Sequence, residues 1–316
     1  MPTLVSTRPD WLTTLARALP PAGWRTRFAP APTGFLHLGH LVNAIHVWGI
    51  AHAHGGRVLL RLEDHDGTRC RPEFEQALLD DLDWLGLAPD DFDTASFRGN
   101  LVSHEARQSN QQPRYTTALR QLAAQDRVYG CSCTRKDIAH QVPHEAGREA
   151  CYPGTCRTRQ LSDTDTFAKR VLLERRMMAF DDLRLGAIRQ TPAEQCGDLL
   201  VRDRHAQWTY HFAVVVDDMA HDIDVIIRGE DLLASTGRQL QLAELLGRLE
   251  PPRVLHHTLL VHPDGSKLSK ATHDTSIGDM RAAGARPEEL LGLAARRAGL
   301  GDRQRLSAAD VPLLFA

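Results

Sequence analysis

The sequence predicts an α/β protein built on a parallel sheet. Strand and helix patterns alternate through residues 25–85, and the same alternation returns after residue 200. Alternation of this kind is typical of parallel sheets whose strands are joined by helices. The stretch between them, residues 111–200, is less regular, and we predict that it is an insertion into the α/β domain.

The individual elements follow from hydrophobic period and from turn residues. In the first half we predict a strand at 25–29, a helix at 39–54, a strand at 57–63 and a helix at 72–85, which Pro72 opens. In the second half we predict strands at 211–216, 223–227 and 254–261, with helices at 235–247 and 287–298. The amphipathic stretch 11–19 is interpreted as part of an appended arm.

Five regions result from this division. They are an N-terminal arm (1–23), the first half of the α/β domain (24–110), the insertion (111–200), the second half (201–275) and a short C-terminal helical region (276–316).

Composition indicates an ordinary globular protein. The 316 residues are 42% hydrophobic and 25% charged, with a net charge of −2, so bulk charge does not indicate a protein that coats nucleic acid. Local basic clusters at 25–27, 157–159 and 169–176 are either solvated faces or contacts for nucleic acid. We find no run of 18 apolar residues and no secretory signal, so we predict no membrane span and a cytoplasmic protein. Separately, we expect a monomer.

Two histidines follow the first predicted strand. His37 and His40 flank Leu38 and Gly39 where a turn bent by proline and glycine leads into a predicted helix. A helix N-terminus favours anions, and two imidazoles can donate to a phosphoryl group as its charge grows. Alone, this match is weak, because the chain has 16 histidines.

A lysine pair lies near the other end of the α/β segment. Lys267 and Lys270 follow a Pro-Asp-Gly turn, where a closing loop could neutralise a triphosphate. Lysines on a polar loop are usually only solvated, so this motif is also weak alone.

Four of the six cysteines are crowded into residues 131–156. Clustered thiols in a reducing compartment indicate zinc rather than disulfides. Spacing alone would select Cys131, Cys133, Cys151 and Cys156 as the ligands, and loose thiols without a metal are the alternative.

The histidine and lysine motifs, in this order, resemble the two signature motifs of class I aminoacyl-tRNA synthetases. Four flanking segments are similar to the glutamyl branch: 27–34, 61–64, 208–218 and 227–232. The resemblance extends from about residue 25 to about residue 275. It implies a Rossmann-like catalytic domain with a zinc-binding insertion.

The resemblance also implies roles for individual residues. Catalysis and ATP binding, with Mg²⁺ on the ATP, would use His37, Gly39, His40, Lys267 and Lys270. The L-glutamate pocket would comprise Arg27, Phe28, Ala29, Pro30, Ala31, Glu63, Tyr210 and Arg228.

Charge supports such a pocket, because glutamate carries two carboxylates and one ammonium, and arginine presents a planar fork that fits a carboxylate. A structural Arg–Glu pair is the alternative for Arg228 and Glu63. The family often has serine where this chain has Ala31, which puts one hydrogen bond in doubt.

For the metal, the resemblance implies one structural Zn²⁺ held by three cysteines and a tyrosine. These ligands would be Cys131, Cys133, Tyr152 and Cys156, and Cys151 and His144 remain further candidates.

Only 46 residues follow Lys270, which is too short for an anticodon-binding domain with its own core. The chain therefore resembles the truncated paralogues of glutamyl-tRNA synthetase. These activate glutamate without tRNA and transfer it to the cyclopentenediol of queuosine, at the anticodon wobble position of tRNA(Asp). A bare glutamyl-tRNA synthetase catalytic domain and a catalytically inactive binding protein are the alternatives.

Overall fold

The computed structural model describes residues 10–99, 104–142, 150–159, 161, 166–260 and 275–316. Within these ranges the strands are β1 (Arg25–Phe28), β2 (Arg57–Leu60), β3 (Val128–Cys131), β4 (Ala168–Val171), β5 (Met178–Asp182), β6 (Gly186–Gln190), β7 (Leu199–Arg202), β8 (Val225–Gly229) and β9 (Arg253–His257). The helices are α1 (Asp10–Ala18), α2 (Leu38–Ala53), α3 (Pro72–Leu85), α4 (Thr94–Arg98), α5 (Gln112–Ala123), α6 (Arg135–Gln141), α7 (Pro192–Gln195), α8 (Tyr210–Ala220), α9 (Thr236–Leu245), α10 (Ile277–Ala282) and α11 (Pro287–Arg297), with 3₁₀ turns at Gln108–Asn110, Glu230–Ser235 and Ala308–Leu314.

The parallel sheet is assembled from both halves of the chain. β1 pairs with β2 and β8 pairs with β9, in both cases in parallel. Strand β1 adjoins β8, because the amide of Asp224 donates to the carbonyl oxygen of Arg25 at 3.0 Å. The carboxyl ends of β1, β2, β8 and β9 therefore lie along one edge, where ligands bind in open α/β sheets. The predicted α/β class with a parallel sheet is confirmed.

Most of the predicted elements agree with the structure to within a few residues. Helix α3 begins at Pro72 and ends at Leu85 as predicted, with Gly86 in the left-handed region at φ 73°. The last predicted strand, 254–261, is observed as Arg253–His257, and residues 261–274 lie outside the described ranges.

The predicted strand at 211–216 is wrong, since these residues belong to helix α8. A short continuous apolar run does not distinguish a buried strand from a buried helix. All seven residues from Phe212 to Asp218 are buried, because α8 has α5 on one side and α9 on another.

Strands β3 to β7 form a small antiparallel sheet and also extend the parallel sheet. The small sheet has the order β3–β4–β7. The β5–β6 hairpin extends the parallel sheet instead, because Asp182 at the end of β5 pairs with Val254 of β9. The region predicted as an insertion therefore places one of its residues next to a central strand.

Both ends of the described chain pack into the main core. Leu12 and Leu15 of α1 are buried there, as are Val311 and Phe315 of the C-terminal turn. Phe315 lies directly against helix α2, because a Cβ added at Gly49 would stand 2.3 Å from its ring. Of the helices that the structure describes, none has both the length and the apolar character that crossing a membrane would require.

Candidate active site and metal centre

A cavity of about 370 Å³ opens at the carboxyl edge of the parallel sheet, beside the N-terminus of α2. Its walls come from the ends of β1 and β8, from the segments after β2 and β9, and from the start of α8. The lining residues are Arg27, Ala29, His37, Gly39, His40, Val42, Asn43, Glu63, Tyr210, Ile227, Arg228, Gly229, Asp231, Leu232, His257, Leu259 and Leu260.

The two histidines cap helix α2. His37 is the N-cap, and its Nδ1 accepts from the amide of Gly39 at 3.1 Å, while Nδ1 of His40 accepts from the amide of His37 at 3.1 Å. An imidazole nitrogen that accepts carries no proton, so in the neutral form each ring is protonated at Nε2. A Cβ added at Gly39 would lie 2.9 Å from Cε1 of His37, so this position leaves room only for glycine. The cap therefore orients both rings as Nε2–H donors at the edge of the cavity.

Four buried charged side chains form an alternating chain beneath the cavity. Asp218 accepts from Nε of Arg27 at 3.0 Å and from Nη1 of Arg61 at 2.7 Å, and Arg61 donates through Nη2 to Glu63 at 3.0 Å. Burial alone would raise the pKa of Asp218, but the two guanidinium groups outweigh burial and lower it. Arg27 is thus anchored through Nε, which leaves its Nη fork as the remaining donor set beside the cavity.

Arg228 is held differently, by neutral groups. It donates through Nε to Nε2 of His256 at 3.1 Å, through Nη1 to Gln239 at 2.6 Å and through Nη2 to Thr236 at 2.8 Å. In the described part of the chain, no carboxylate lies within ion-pair distance of Arg228. Burial lowers its pKa, and the positive charge of Arg27 lowers it further. A buried cation in this setting favours an anionic ligand.

Eight of the residues predicted for catalysis, ATP and glutamate line this one cavity: Arg27, Ala29, His37, Gly39, His40, Glu63, Tyr210 and Arg228. Burial raises the pKa of Tyr210, and the negative charge of Glu63 adds to the effect. Their individual roles stay predictions, but the structure brings these side chains together.

Three predicted glutamate-pocket residues are not among the lining residues. Phe28 points into the core and packs against Trp48 with ring centroids 5.1 Å apart. The carbonyl oxygen of Pro30 accepts from the amide of Glu63 at 3.1 Å, so Pro30 helps to position that acid. Ala31 is half-buried, and its carbonyl oxygen accepts from the amide of Thr33 at 2.8 Å.

Lys267 and Lys270 lie outside the described residues, as does His144. Their predicted roles stay predictions.

Sequence reasoning missed two groups of residues. Asn43, Asp231 and His257 line the cavity, and Asp218 bridges two arginines beneath it. Asp218 and its neighbour Asp217 were visible as consecutive acids in an apolar run, which is a signal for buried charge pairing. Nothing in the local sequence pattern marks Asn43.

Three cysteines form a compact cluster in the small antiparallel lobe. The Sγ atoms of Cys131, Cys133 and Cys156 lie within 4.8 Å of one another, and those of Cys133 and Cys156 are 3.6 Å apart. Four ligands held tetrahedrally at about 2.3 Å from zinc would be about 3.8 Å apart. The donor set and its spacing fit a tetrahedral metal ion, so the three-cysteine cluster could hold one.

The side chain that lies next to this cluster is that of Tyr152 rather than Cys151. The Tyr152 hydroxyl is 3.5 Å from Sγ of Cys131 and accepts from the amide of Cys156 at 2.9 Å. Sγ of Cys151 instead points toward the carbonyl oxygen of Ala193, at 4.0 Å. Burial would raise the pKa of the Cys156 thiol, but hydrogen bonds from Ser132 and Tyr152 lower it to about 6.

Arg170 lies over the cluster. Its guanidinium is 3.7 Å from the centre of the Tyr152 ring, and its Nε donates to Sγ of Cys131 at 3.3 Å. Nη1 donates to the carbonyl oxygen of Asp198 at 2.7 Å, which fixes the side chain. A cation in this position offsets the negative charge of deprotonated thiolate ligands.

Comparison with known proteins agrees with this geometry. A model of the catalytic domain of class I tRNA synthetases (E and Q) matches residues 24–306. The glutamyl-Q tRNA(Asp) synthetase of Burkholderia cenocepacia strain J2315 is 40% identical over 284 residues, which are 86% of this chain and 89% of the relative. The chain belongs to the glutamyl-Q tRNA(Asp) synthetase family.

A more distant member of this family, from Nitratidesulfovibrio vulgaris, is 38% identical over 286 residues, covering 87% of this chain and 86% of that one. Among solved structures, a glutamate-tRNA synthetase from Elizabethkingia anophelis superposes with a TM-score of 0.74 at 25% identity. That match covers 92% of this chain but only 65% of the synthetase, so the chain spans less than two thirds of that enzyme's length. The family consists of ligases of the class I aminoacyl-tRNA synthetase type, and the chain is such an enzyme.

Proposed function

We propose that this enzyme activates L-glutamate with ATP in the absence of tRNA, and then transfers the glutamyl group to the cyclopentenediol of queuosine in the anticodon of tRNA(Asp). In the first step a carboxylate oxygen of glutamate attacks the α-phosphorus of ATP, and pyrophosphate leaves. In the second step a diol hydroxyl attacks the carbonyl carbon of glutamyl-adenylate, an ester forms and AMP leaves. The relatives carry the name of this activity.

The observation that carries the glutamate assignment is the charge pattern of the cavity. Arg27 and Arg228 supply two guanidinium groups, and Glu63 supplies one carboxylate, all lining one space of about 370 Å³. Glutamate carries the complementary set, with two carboxylates and one ammonium. Glutamine has no side-chain charge and would leave one guanidinium group without a counter-ion, which costs affinity.

His37 and His40 are the described groups best placed for activation. Their Nδ1 atoms accept from backbone amides, so both present Nε2–H as donors at the cavity. Charge grows on the α-phosphoryl oxygens in the transition state, and preorganised donors stabilise that charge without reorganising. Mg²⁺ bound to ATP would share this task, as would the two lysines of the predicted loop.

The RNA substrate would bind through its phosphates. In the local basic clusters at 157–159 and 169–176, Arg159 and Arg175 are exposed. Arg157 is instead held by the buried carboxylate of Asp198, with 2.5 Å from its Nε to Oδ2 and 2.8 Å from its Nη2 to Oδ1. We therefore assign phosphate contacts to Arg159 and Arg175, and binding of the tRNA should weaken as the salt concentration rises.

We further propose that the three-cysteine cluster binds one structural Zn²⁺, with Tyr152 as the fourth ligand. The phenol lies beside the thiols and Cys151 does not. Four protein ligands close the coordination shell, so this ion would stabilise the lobe and take no part in the reaction.

The proposed function is tested in two stages. Glutamate-dependent exchange of pyrophosphate into ATP is measured first, without tRNA, with glutamine as the control amino acid. Labelled glutamate is then offered with tRNA(Asp) that contains or lacks queuosine, each with an intact or a periodate-oxidised 3′ end. Because periodate would also cleave the queuosine diol, that diol is protected while the 3′ end is oxidised.

Each alternative gives a different result in these two stages. We expect exchange with glutamate alone, and label on queuosine-containing tRNA even when its 3′ end is blocked. Labelling that requires an intact 3′ end would identify a glutamyl-tRNA synthetase domain instead. No exchange under any condition would identify an inactive binding protein.

A further inference from the structure

Arg228 and His256 face each other across adjacent parallel strands. They are register partners in the β8–β9 pair, and Nε of Arg228 lies 3.1 Å from Nε2 of His256. On its other side, Nδ1 of His256 lies 2.6 Å from Oδ2 of Asp182, the last residue of β5. All three side chains are buried, so a continuous polar chain leads from the edge of the β5–β6 hairpin to the cavity.

The chemistry of guanidinium fixes the protonation of His256. A guanidinium group has only N–H donors, so the imidazole nitrogen that faces it must accept. Nε2 of His256 is therefore unprotonated and accepts from Arg228, with the hydroxyl of Thr236 also 3.0 Å away. The imidazole proton is on Nδ1, from which it is donated to Asp182. The histidine is neutral in this arrangement, because a proton on both nitrogens would set one N–H against another.

Asp182 is held in turn by the backbone. Its Oδ1 accepts from the amides of Arg184 and Leu185 at 3.0 and 2.9 Å, and its Oδ2 accepts from the amide of His256 at 3.1 Å. These contacts leave the carboxylate in one orientation, which selects one tautomer of the imidazole.

A neutral acceptor beside Arg228 leaves the charge of the guanidinium group uncompensated, which a carboxylate in the same place would not do. A carboxylate against Arg228 would hold the side chain equally well but would neutralise the charge that a ligand carboxylate needs. An imidazole nitrogen orients the guanidinium while leaving its charge uncompensated. The other contacts of Arg228, with Gln239 and Thr236, are also neutral.

We propose that Asp182 and His256 are positioning residues of the amino-acid site, which hold Arg228 through a neutral acceptor so that its charge remains available to a carboxylate of the substrate. This inference rests on the proposed function for the identity of the substrate. The geometry on which it stands does not depend on that identity.

Asp182→Asn is the sharpest variant, because it keeps the shape of the side chain. The amide oxygen can still accept from the two amides of the β5–β6 turn, while its NH₂ group replaces Oδ2 and also faces the backbone amide of His256. A donor then faces Nδ1 of His256, which favours the tautomer with a proton on Nε2, against Arg228. We expect the KM for glutamate to rise about 10- to 100-fold, since a hydrogen bond to a charged group is replaced by a repulsion, while the KM for ATP changes less than about twofold.

Substitutions at His256 separate the acceptor from the charge. In His256→Gln the amide oxygen can accept from Arg228, and we expect a KM for glutamate within about fivefold of the wild type. In His256→Glu an acceptor is also present, but it carries a charge that competes with the substrate, so the KM for glutamate should rise more than in the glutamine variant. If the KM for glutamate in His256→Glu is equal to or lower than the KM in His256→Gln, the neutrality of the acceptor is not what matters.

Asp198→Asn provides the matched control. Asp198 is as buried as Asp182, but its partners are Arg157 and Tyr129 in the small antiparallel lobe. This variant should lower stability and leave the KM for glutamate unchanged. A rise in both KM values in Asp182→Asn, or an equal rise in the two aspartate variants, would reduce Asp182 to a structural residue.

A measurement on the wild-type enzyme covers the case in which a variant does not fold. Nitrogen-15 spectra of the imidazole of His256, assigned through its backbone resonances, should show a proton on Nδ1 and none on Nε2. A proton on Nε2 would overturn the inference without any substitution. Absence of glutamate-dependent exchange in the wild type would overturn the proposed function alone, whereas normal exchange with an unaffected Asp182→Asn variant would overturn only the positioning role.

Discussion

His37 caps helix α2 in this structure and is proposed to donate to the phosphoryl group of ATP, and one substitution distinguishes these two tasks. Its Nδ1 caps helix α2 by accepting from the amide of Gly39 at 3.1 Å, while its Nε2–H is assigned to the phosphoryl group. Asparagine is among the best N-cap residues, and its side-chain oxygen can take over the first task. It offers no donor at the position of Nε2. His37→Asn should therefore keep the helix cap and lose the catalytic donor.

The two effects differ in size. Losing one donor to a developing oxyanion costs on the order of 100-fold or more in kcat, or about 2.7 kcal/mol of transition-state stabilisation. Replacing a good cap by alanine costs about 1 kcal/mol of stability. We thus expect both His37→Asn and His37→Ala to lose about 100-fold in kcat, whereas only the alanine variant should lose about 1 kcal/mol in the free energy of unfolding.

The assay combines pyrophosphate exchange at saturating glutamate with urea unfolding of the same preparations. Asp93→Ala is the control, because Asp93 caps α4 through the amide of Ser96 at 2.8 Å, away from the cavity. It should lose stability and keep kcat. A His37→Asn variant that exchanges at the wild-type rate would refute the donor assignment, and one as unstable as His37→Ala would refute the cap assignment.

Three further predictions concern stability and the metal. Phe315→Ala should lower the free energy of unfolding by about 3–5 kcal/mol in urea, because the ring fills the space against Gly49 and is fully buried; a loss below 1 kcal/mol would contradict this packing. Arg170→Gln should weaken zinc binding about 10- to 100-fold in competition with a chelator, with kcat for pyrophosphate exchange unchanged; unaltered affinity would remove its role at the cluster. Burial raises the pKa of Asp81 to about 7 despite the nearby Arg281. The folded state therefore binds this proton more tightly than the unfolded state does, and the free energy of unfolding should fall as pH rises from about 4 through 7. Asp81→Asn should lessen that fall by on the order of 1 kcal/mol in thermal melts at pH 5 and 8, and an identical pH dependence in both proteins would refute the assignment.

The sequence predicted the parallel core well because local signals and tertiary structure agree there. Pro72 and Gly86 bound helix α3 in the structure as they do in the pattern. The prediction at 211–216 was wrong because local signals and tertiary structure disagree there. A helix surrounded by other elements is apolar on every side, so its sequence lacks the 3.6-residue hydrophobic period. The β5–β6 hairpin could not be assigned to the parallel sheet from the sequence, because its pairing with β9 joins residues about 70 positions apart.

The site was predictable where charged residues line the cavity, and less so where residues contact one another. Arg27, Glu63 and Arg228 could be selected by charge and resemblance, and the structure places all three at one cavity. The residues that hold these side chains could not be selected in this way. Asp218 contacts Arg27 and His256 contacts Arg228 between elements that are far apart in sequence, so spacing gives no sign of either contact. Nor did spacing distinguish Cys151 from Tyr152 at the cysteine cluster, because the two residues are adjacent in sequence and only their side-chain directions differ.

The charges beneath the cavity suggest how an amino acid is selected. Arg27, Asp218, Arg61 and Glu63 are linked by direct contacts, and their formal charges sum to zero (two positive and two negative). Arg228 stands outside this chain, and its own direct contacts are all neutral. A carboxylate of glutamate would pair with this guanidinium group directly, whereas the side chain of glutamine carries no charge and would leave one buried guanidinium group without a counter-ion in contact. Discrimination between the two amino acids should therefore collapse in Arg228→Gln, where pyrophosphate exchange with glutamate should fall to the level seen with glutamine, and exchange that still favours glutamate as strongly as in the wild type would refute this role of Arg228.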